Sequence, residues 1–185
     1  LWQNGQLSIE CYWSLRYQPK LTISEDEAAE QTLALLREAT RTALDYDRRW
    51  REYSTAENEP DVLPVMVVQV ADKASDAHLA ELVGVIESEW PGLAPDAVAH
   101  VFGEHERLHV GARAVEWVAP ESIQNDPTIR VVLAKTAIST GWDCPHAEVL
   151  YSERPAADAT HIAQIIGRMV RSPLAHRVAT DDTLN

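Results

Sequence analysis

Apolar residues recur along the first third of the chain with two different periods. A half-buried strand is predicted between residues 7 and 23 by an alternating apolar run, Leu7, Ile9, Cys11, Trp13 and Leu15. Ser24 and Glu27 form a capping box, after which apolar residues at helical spacing predict a helix over residues 25–51. The polar residues 54–61 then predict a linker.

Beyond this linker, short apolar runs alternate with helical patterns. Strands are predicted over residues 64–70, 97–102, 129–134 and 149–151, and helices over residues 75–90 and 159–171. Such alternation is typical of an α/β fold with a mostly parallel sheet, whose ligands bind beyond the carboxyl ends of the strands. We therefore expect an N-terminal strand and helix, residues 1–60, followed by an α/β domain, residues 61–185.

The size and composition of the chain fit one globular domain, with 185 residues of which 45% are hydrophobic. No run of about 18 apolar residues occurs, so no membrane span is expected. Cys11 and Cys144 have neither disulfide-framework nor CxxC spacing, and a reducing, cytoplasmic compartment is therefore expected. The chain begins at Leu1 without a Met or a signal peptide, which we interpret as the cut edge of a longer protein.

The formal net charge of −13 is unfavourable for direct contact with nucleic acid. Proteins that bind phosphate backbones usually present a basic face. A second domain could supply that face, so the charge lowers the expectation of nucleic-acid binding without deciding it.

The predicted last helix has two distinct faces. One face carries a core-facing apolar stripe, Ile162, Ile165, Ile166, Met169 and Val170. The other carries polar residues, His161, Gln164, Arg168 and Arg171. Gly167 costs a helix interior about 1 kcal/mol relative to Ala, and close approach of a backbone or ligand is a common reason for such a residue. Two arginines one turn apart can hold the oxygens of a terminal phosphate, although a solvated helix with surface ion pairs fits the spacing equally well.

Small hydroxyl residues follow the strand predicted at 129–134, namely Thr136, Ser139 and Thr140, with Gly141 and Asp143 behind them. Such residues suit contacts to phosphate through hydroxyls and backbone amides, and Asp143 could accept a hydrogen bond from a ribose or an arginine. The alternative is that a hydroxyl caps a helical turn and Asp143 pairs with a structural base.

Three other groups of residues carry weaker signals. Cys144 and His146 lack a second ligand pair, so no metal site is predicted there. Three histidines around Gly103-Glu104 fit no standard ligand spacing and are expected in a solvated loop; they are His100, His105 and His109. Trp142 could pack against a neighbouring helix or stack on a base, and packing is favoured.

Two of these segments resemble motifs of superfamily 2 helicases. Residues 136–145, TAISTGWDCP, resemble motif V, and residues 164–171, QIIGRMVR, resemble motif VI with its general form Q-x-x-G-R-x-x-R. Residues 64–70 fit the strand of motif IV. Over residues 64–175 the chain is most similar to DEAD/DEAH-type helicase proteins related to the Res subunit of type III restriction enzymes.

This resemblance implies a RecA-like (P-loop NTPase-type) parallel sheet flanked by helices, with the N-terminal strand and helix as an extension. It implies that Arg168 and Arg171 are catalytic and reach the γ-phosphate of ATP. Contacts to ATP are implied for Gly141, Asp143, Gln164 and Gly167. Contacts to the nucleic-acid backbone are implied for Thr136, Ser139 and Thr140.

The chain also departs from the complete motor pattern. No G-x-x-x-x-G-K-[ST] loop occurs, and the lysines are Lys20, Lys73 and Lys135. Residues 26–29, DEAA, are similar to a DEAx box but open a helix instead of ending a buried strand, so they are interpreted as capping residues. ATP and Mg²⁺ are therefore expected to bind jointly with a RecA-like domain upstream in the parent chain, and this chain alone is expected to hydrolyse no ATP.

The expected partners follow from the same resemblance. DNA is favoured as the track, with RNA as an alternative, and modification or nuclease subunits are further candidates. The parent protein would be an ATP-dependent helicase or translocase related to restriction or defence. A different class of function is also open, a catalytically inert RecA-like module that serves as an interaction platform in a DNA defence or repair complex.

Overall fold

The computed structural model describes residues 10–13, 25–135, 142–153, 167, 169 and 172–184. Its strands are β1 (Glu10–Trp13), β2 (Val65–Gln69), β3 (Val98–His100), β4 (Leu108–Val110), β5 (Arg113–Trp117), β6 (Val131–Ala134) and β7 (Ala147–Ser152). Its long helices are α1 (Glu25–Glu57) and α2 (Asp76–Glu89). Short 3₁₀ turns cover Pro95–Ala97, Pro120–Asn125 and Asp182–Leu184.

The strands form one sheet in the order β1-β7-β2-β6-β3-β5-β4. Each neighbouring pair from β1 to β5 is parallel, and β4 adds an antiparallel strand at the far edge. The predicted α/β class with a mostly parallel sheet is therefore confirmed. The central strands β2, β6 and β7 are buried along their whole length, as the nearly continuous apolar sequences of β2 and β6 predict.

Alternate residues of the central strands belong to two different buried clusters, one on each face of the sheet. Met66 and Val68 of β2 lie in the cluster that also contains the apolar faces of α1 and α2. Val65 and Val67 lie in the second cluster, on the opposite face. Neither face of β2 is left to solvent.

Helix α2 matches its prediction closely. Its buried residues Leu79, Leu82, Val83 and Ile86 are those of the predicted apolar face. Ser75 caps the amino end, because its hydroxyl accepts a hydrogen bond from the backbone N–H of His78 at 3.2 Å. The helix ends before Gly92, whose φ of +87° suits the chain reversal.

Helix α1 is longer than predicted, and the linker expected at residues 54–61 is wrong for residues 54–57. Ser54 is buried, and its side chain donates a 3.0 Å hydrogen bond to the carbonyl of Pro60. This contact folds the following turn back onto the helix, so polar composition there does not signal a helix end. The helix stops instead at Asn58, which has a φ of +54°.

The hairpin of β4 and β5 was not predicted from the sequence. It turns at Gly111, which has a φ of +62°. The solvated loop expected for three histidines is consequently wrong for two of them. His100 is fully buried in β3 and His109 lies in β4, whereas His105 is exposed in the connection between them.

The N-terminal elements contribute directly to the sheet and its core. β1 pairs in parallel with β7, with Glu10 opposite Val149. Trp50 of α1 is fully buried, and its Nε1 donates a 2.7 Å hydrogen bond to Oε1 of Glu148 in β7. Glu148 lies at an irregularity in the pairing of β7 with β2, where Val65 faces Ala147 and Met66 faces Val149. The domain boundary at residue 60 stays a prediction.

Candidate functional site

The carboxyl ends of β6 and β7 lie on either side of a single residue of β2. Gln69 is in register with Ala134 of β6 and with Ser152 of β7. Neighbouring strands are about 4.8 Å apart, so these two strand ends are separated by roughly 10 Å. The segment that resembles motif V directly follows β6 in the sequence, and the one that resembles motif VI comes after β7, with residues 153–163 between β7 and that segment.

Buried polar groups connect the three strand ends. The Ser152 hydroxyl donates a 2.8 Å hydrogen bond to Oε1 of Gln69. The amide nitrogen of the Gln69 side chain lies 3.4 Å from the carbonyl oxygen of Lys135, and the backbone N–H of Glu153 donates to the Gln69 carbonyl at 2.9 Å. Gln69 and Ser152 are fully buried. Buried amides and hydroxyls need partners, and this network supplies them while it fixes the ends of β6 and β7.

His78 and Glu153 pair at the same carboxyl ends of the strands, on the face of the sheet that α2 covers. Nε2 of His78 lies 2.8 and 3.0 Å from the two carboxylate oxygens of Glu153. The hydroxyl of the buried Tyr151 donates to the same carboxylate at 3.3 Å. The hydrogen bond to Glu153 raises the pKa of His78 above its ordinary value. The first turn of α2 is thereby attached to the residue that directly follows β7.

The positively charged side chain of Lys135 lies directly before the motif V segment. The Lys135 ammonium lies 4.4 Å from the ring centroid of Phe102 and 3.8 Å from a carboxylate oxygen of Glu104. His100 is buried beneath this group, and burial lowers its pKa. Its Nδ1 accepts from the backbone N–H of Phe102 at 3.2 Å and its Nε2 donates to the Glu106 carbonyl at 2.8 Å, an arrangement that suits a neutral ring.

Most of the residues predicted to contact ATP or nucleic acid lie outside the described residues. These are Thr136, Ser139, Thr140, Gly141, Gln164, Arg168 and Arg171. The two described members of the predicted ATP site are Asp143, which is half-buried, and Gly167, which is helical and exposed. The predicted helix over residues 159–171 is described at Gly167 and Met169 alone, both helical.

The described parts of the two motif segments share one buried cluster. Trp142 and Cys144 of the motif V segment are fully buried in the cluster that also contains Met169 of the motif VI segment, which is 1% exposed. Packing of Trp142, which the sequence favoured over base stacking, is confirmed. Met169 belongs to the predicted core-facing stripe and is buried, whereas Gly167, two residues away on the helix, is exposed.

Two features of these segments bear on their chemistry. Burial raises the pKa of the Cys144 thiol to about 11, which makes it a poor nucleophile or metal ligand. No described atom lies within 4 Å of a Cβ built on Gly167. Packing among the described residues therefore gives no reason for glycine at this helical position.

Sequence reasoning missed the polar residues at the strand ends, namely Gln69, His78, Ser152 and Glu153. One signal was present, because Gln69 interrupts an apolar strand and Ser152-Glu153 follows another. Polar side chains at the carboxyl ends of parallel strands belong to the usual ligand-binding region of such sheets.

Comparison of the chain with family models, with curated proteins and with solved structures finds no match. Within the described ranges, no helix has both the length and the apolar character that crossing a bilayer requires. The same part of the chain contains no group of three or more His, Cys, Asp or Glu side chains arranged to hold a metal ion.

Proposed function

We propose that this chain is the second RecA-like domain of a superfamily 2 DNA helicase or translocase, and that it supplies arginine fingers to an ATP site completed by another domain. The observation that carries the proposal is the convergence of two strand ends. The strands that precede the segments resembling motifs V and VI, β6 and β7, end on either side of Gln69, and the described residues Trp142 and Met169 of the two segments share one buried cluster. Two segments that act on one nucleotide must lie close together, which this arrangement favours.

Each matched residue has a role in the proposed reaction. Arg168 and Arg171 would hold the γ-phosphate oxygens and stabilise the charge that develops during transfer to water. Gln164, Gly141 and Asp143 would line the nucleotide, and Gly167 would allow its close approach, which its open surroundings favour. ATP supplies the free energy, and Mg²⁺ would be held jointly with the domain that carries the Walker elements.

Movement along the track would follow from closure of the two domains. Because β6 and β7, which precede the two motif segments, both flank β2, a shift of the arginines toward ATP would also shift Thr136, Ser139 and Thr140 against the nucleic-acid backbone. The network of Gln69, Ser152 and Lys135 would transmit this movement as a rigid unit. The net charge of −13 requires that the partner domain supply much of the basic surface for DNA.

The test is ATP hydrolysis by the natural full-length protein, measured with and without DNA, for wild type and for Arg168→Ala. We expect DNA to stimulate turnover and the substitution to lower it by about 10³- to 10⁵-fold, while ATP still binds. Arg107→Ala is the matched control, since Arg107 is exposed on the hairpin and pairs with Glu116. Turnover that is absent, or that does not depend on Arg168, would reject the motor and favour the inert interaction platform.

A further inference from the structure

A second candidate site lies at the other end of the strands, next to the amino-terminal ends of β3 and β6. An open cavity of about 400 Å³ is bounded by the carboxyl-terminal parts of α1 and α2 and by the residues that precede β3 and β6. The residues that matter for its chemistry are Arg51, Trp90, Asp96, Thr128 and Arg130. We call this space the amino-edge cavity.

Arg130 differs from the other arginines whose contacts are known. Seven arginines lie 3.8 Å or less from a carboxylate oxygen; they are Arg37, Arg41, Arg48, Arg49, Arg51, Arg107 and Arg113. Arg130 has no such carboxylate among the described residues, and its Nη1 donates to the carbonyl of the adjacent Ile129 at 3.1 Å. In an acidic chain, where carboxylates are plentiful, a half-buried guanidinium without one is unusual.

Leaving this charge half-buried has a physical cost. Burial lowers the pKa of Arg130, which means that its surroundings disfavour the charged form. Guanidinium stays protonated at neutral pH in spite of such a shift, so the charge persists and an anion beside it would be stabilising. The amino-edge cavity provides space for that anion next to the guanidinium.

The cavity and its surroundings hold two guanidiniums and one buried carboxylate. Arg51 pairs with the buried Asp47 at 2.8 Å, and that carboxylate is also the one whose charge acts on Arg130. Two guanidiniums therefore share one buried carboxylate. Asp96 is exposed, so water screens its charge more than that of Asp47.

We propose that the amino-edge cavity binds the oxyanion group of a small ligand, a phosphate or a carboxylate, through Arg130 on its inner wall and Arg51 at its mouth. Guanidinium provides a planar pair of donors that matches either group. Trp90 and the ring of Pro127 add apolar surface on which the rest of such a ligand can pack. The site lies a strand length away from the proposed ATP site, so the two proposals can fail separately.

The experiment is a titration of the ¹⁵N-labelled 185-residue chain at constant ionic strength, with inorganic phosphate in one arm and succinate in the other. Sodium chloride replaces the titrant in the reference. We expect the backbone amides of Gly92 and Thr128 to shift saturably in at least one arm, and the arm that responds identifies the ligand class.

Arg130→Gln should weaken the apparent affinity about ten- to hundredfold, as loss of a charge-assisted hydrogen bond implies. Arg107→Gln, which removes an exposed arginine on the hairpin, should leave it unchanged.

If Arg130→Gln fails to fold, Arg51→Gln replaces it, because Arg51 is 63% exposed in its side chain and its loss should not disturb the core. Its expected effect is a severalfold weaker affinity with the same pattern of shifted amides. Shifts that chloride reproduces, or that persist unchanged in the tested variant, would overturn the proposal. Arg130 would then be balanced by the partial negative charge at the carboxyl end of α2 instead of by a ligand.

Discussion

Nε2 of His78 and the carboxylate of Glu153 lie 2.8 and 3.0 Å apart across the gap between α2 and the end of β7. The side chain of Glu153 is 4% exposed and that of His78 is 25% exposed, so water screens their attraction only partly. The pair fixes the residue from which the chain continues toward the arginines of the motif VI segment. Its state of protonation therefore bears on both stability and activity.

Stability should depend on pH through His78. The hydrogen bond to Glu153 is the chief reason that the folded-state pKa of His78 is raised. The contribution of His78 to the free energy of unfolding is therefore complete below the unfolded pKa of about 6.5, and it disappears as pH rises through the folded pKa. We expect His78→Gln to lower the free energy of unfolding by about 1 kcal/mol at pH 6 and by less at pH 9. Urea unfolding at both pH values measures this. His109→Gln, at an exposed position of β4, serves as the control, and an equal loss at both pH values would contradict the prediction.

A second pH dependence should come from Glu148. Burial raises its pKa to about 8, so between the unfolded value and pH 8 the folded chain holds a proton that the unfolded chain has released. Stability is therefore lost as pH rises through this range. Glu148→Gln keeps an oxygen acceptor for Trp50 but carries no charge, and we expect it to stabilise the fold at pH 9 and to have little effect at pH 5. Thermal unfolding at these pH values measures this, with the exposed Glu121→Gln as control. The same shift in melting temperature for Glu148→Gln and for Glu121→Gln would contradict the prediction.

Two helical glycines allow a matched comparison. Gly84 in α2 and Gly167 are both exposed, and no described atom lies within 4 Å of a Cβ built on either. Alanine at each position should stabilise the chain by about 1 kcal/mol, because it removes the backbone entropy cost of glycine in a helix. Gly84→Ala should leave ATP hydrolysis by the full-length protein unchanged, whereas Gly167→Ala should reduce it. Equal activity of the two variants would argue against contact between Gly167 and a nucleotide.

Cys144 should be unreactive in the folded chain. Its side chain is fully buried, and burial raises its pKa to about 11, so very little thiolate forms at pH 8. In a Cys11→Ser background, we expect a thiol reagent to modify Cys144 no faster than the chain unfolds, and rapidly in urea. Fast modification under native conditions would show that the Trp142–Cys144 segment opens readily.

The sequence predicted the elements in which burial sets the spacing of the apolar residues. β2 and α2 were found because strands buried on both faces and helices buried on one face have distinctive periods. The β4–β5 hairpin was missed because its strands are short and mostly exposed, so no strong alternation marks them. α1 was predicted too short because the buried Ser54 bonds to Pro60, a contact that composition does not reveal.

The candidate site was predicted in part for a similar reason. The two motif segments could be read locally, but Gln69, His78 and Glu153 meet through the order of strands in the sheet. That order places β7 and β6 on either side of β2, which sequence patterns of single elements do not determine. The sequence showed that Gly167 has an energetic cost in a helix, and no described atom lies within 4 Å of a Cβ built there.

The pairing of β1 with β7 has a consequence for how the chain is made. These strands are separated by most of the sequence, so during synthesis β1 and α1 leave the ribosome long before their partner strand exists. Until β7 emerges, Trp50 lacks its hydrogen-bond partner Glu148, and the apolar face of α1 is covered only in part, by β2 and α2. Nascent chains stalled before residue 147 should therefore recruit chaperones that bind exposed apolar helices, and chains released after residue 153 should no longer need them.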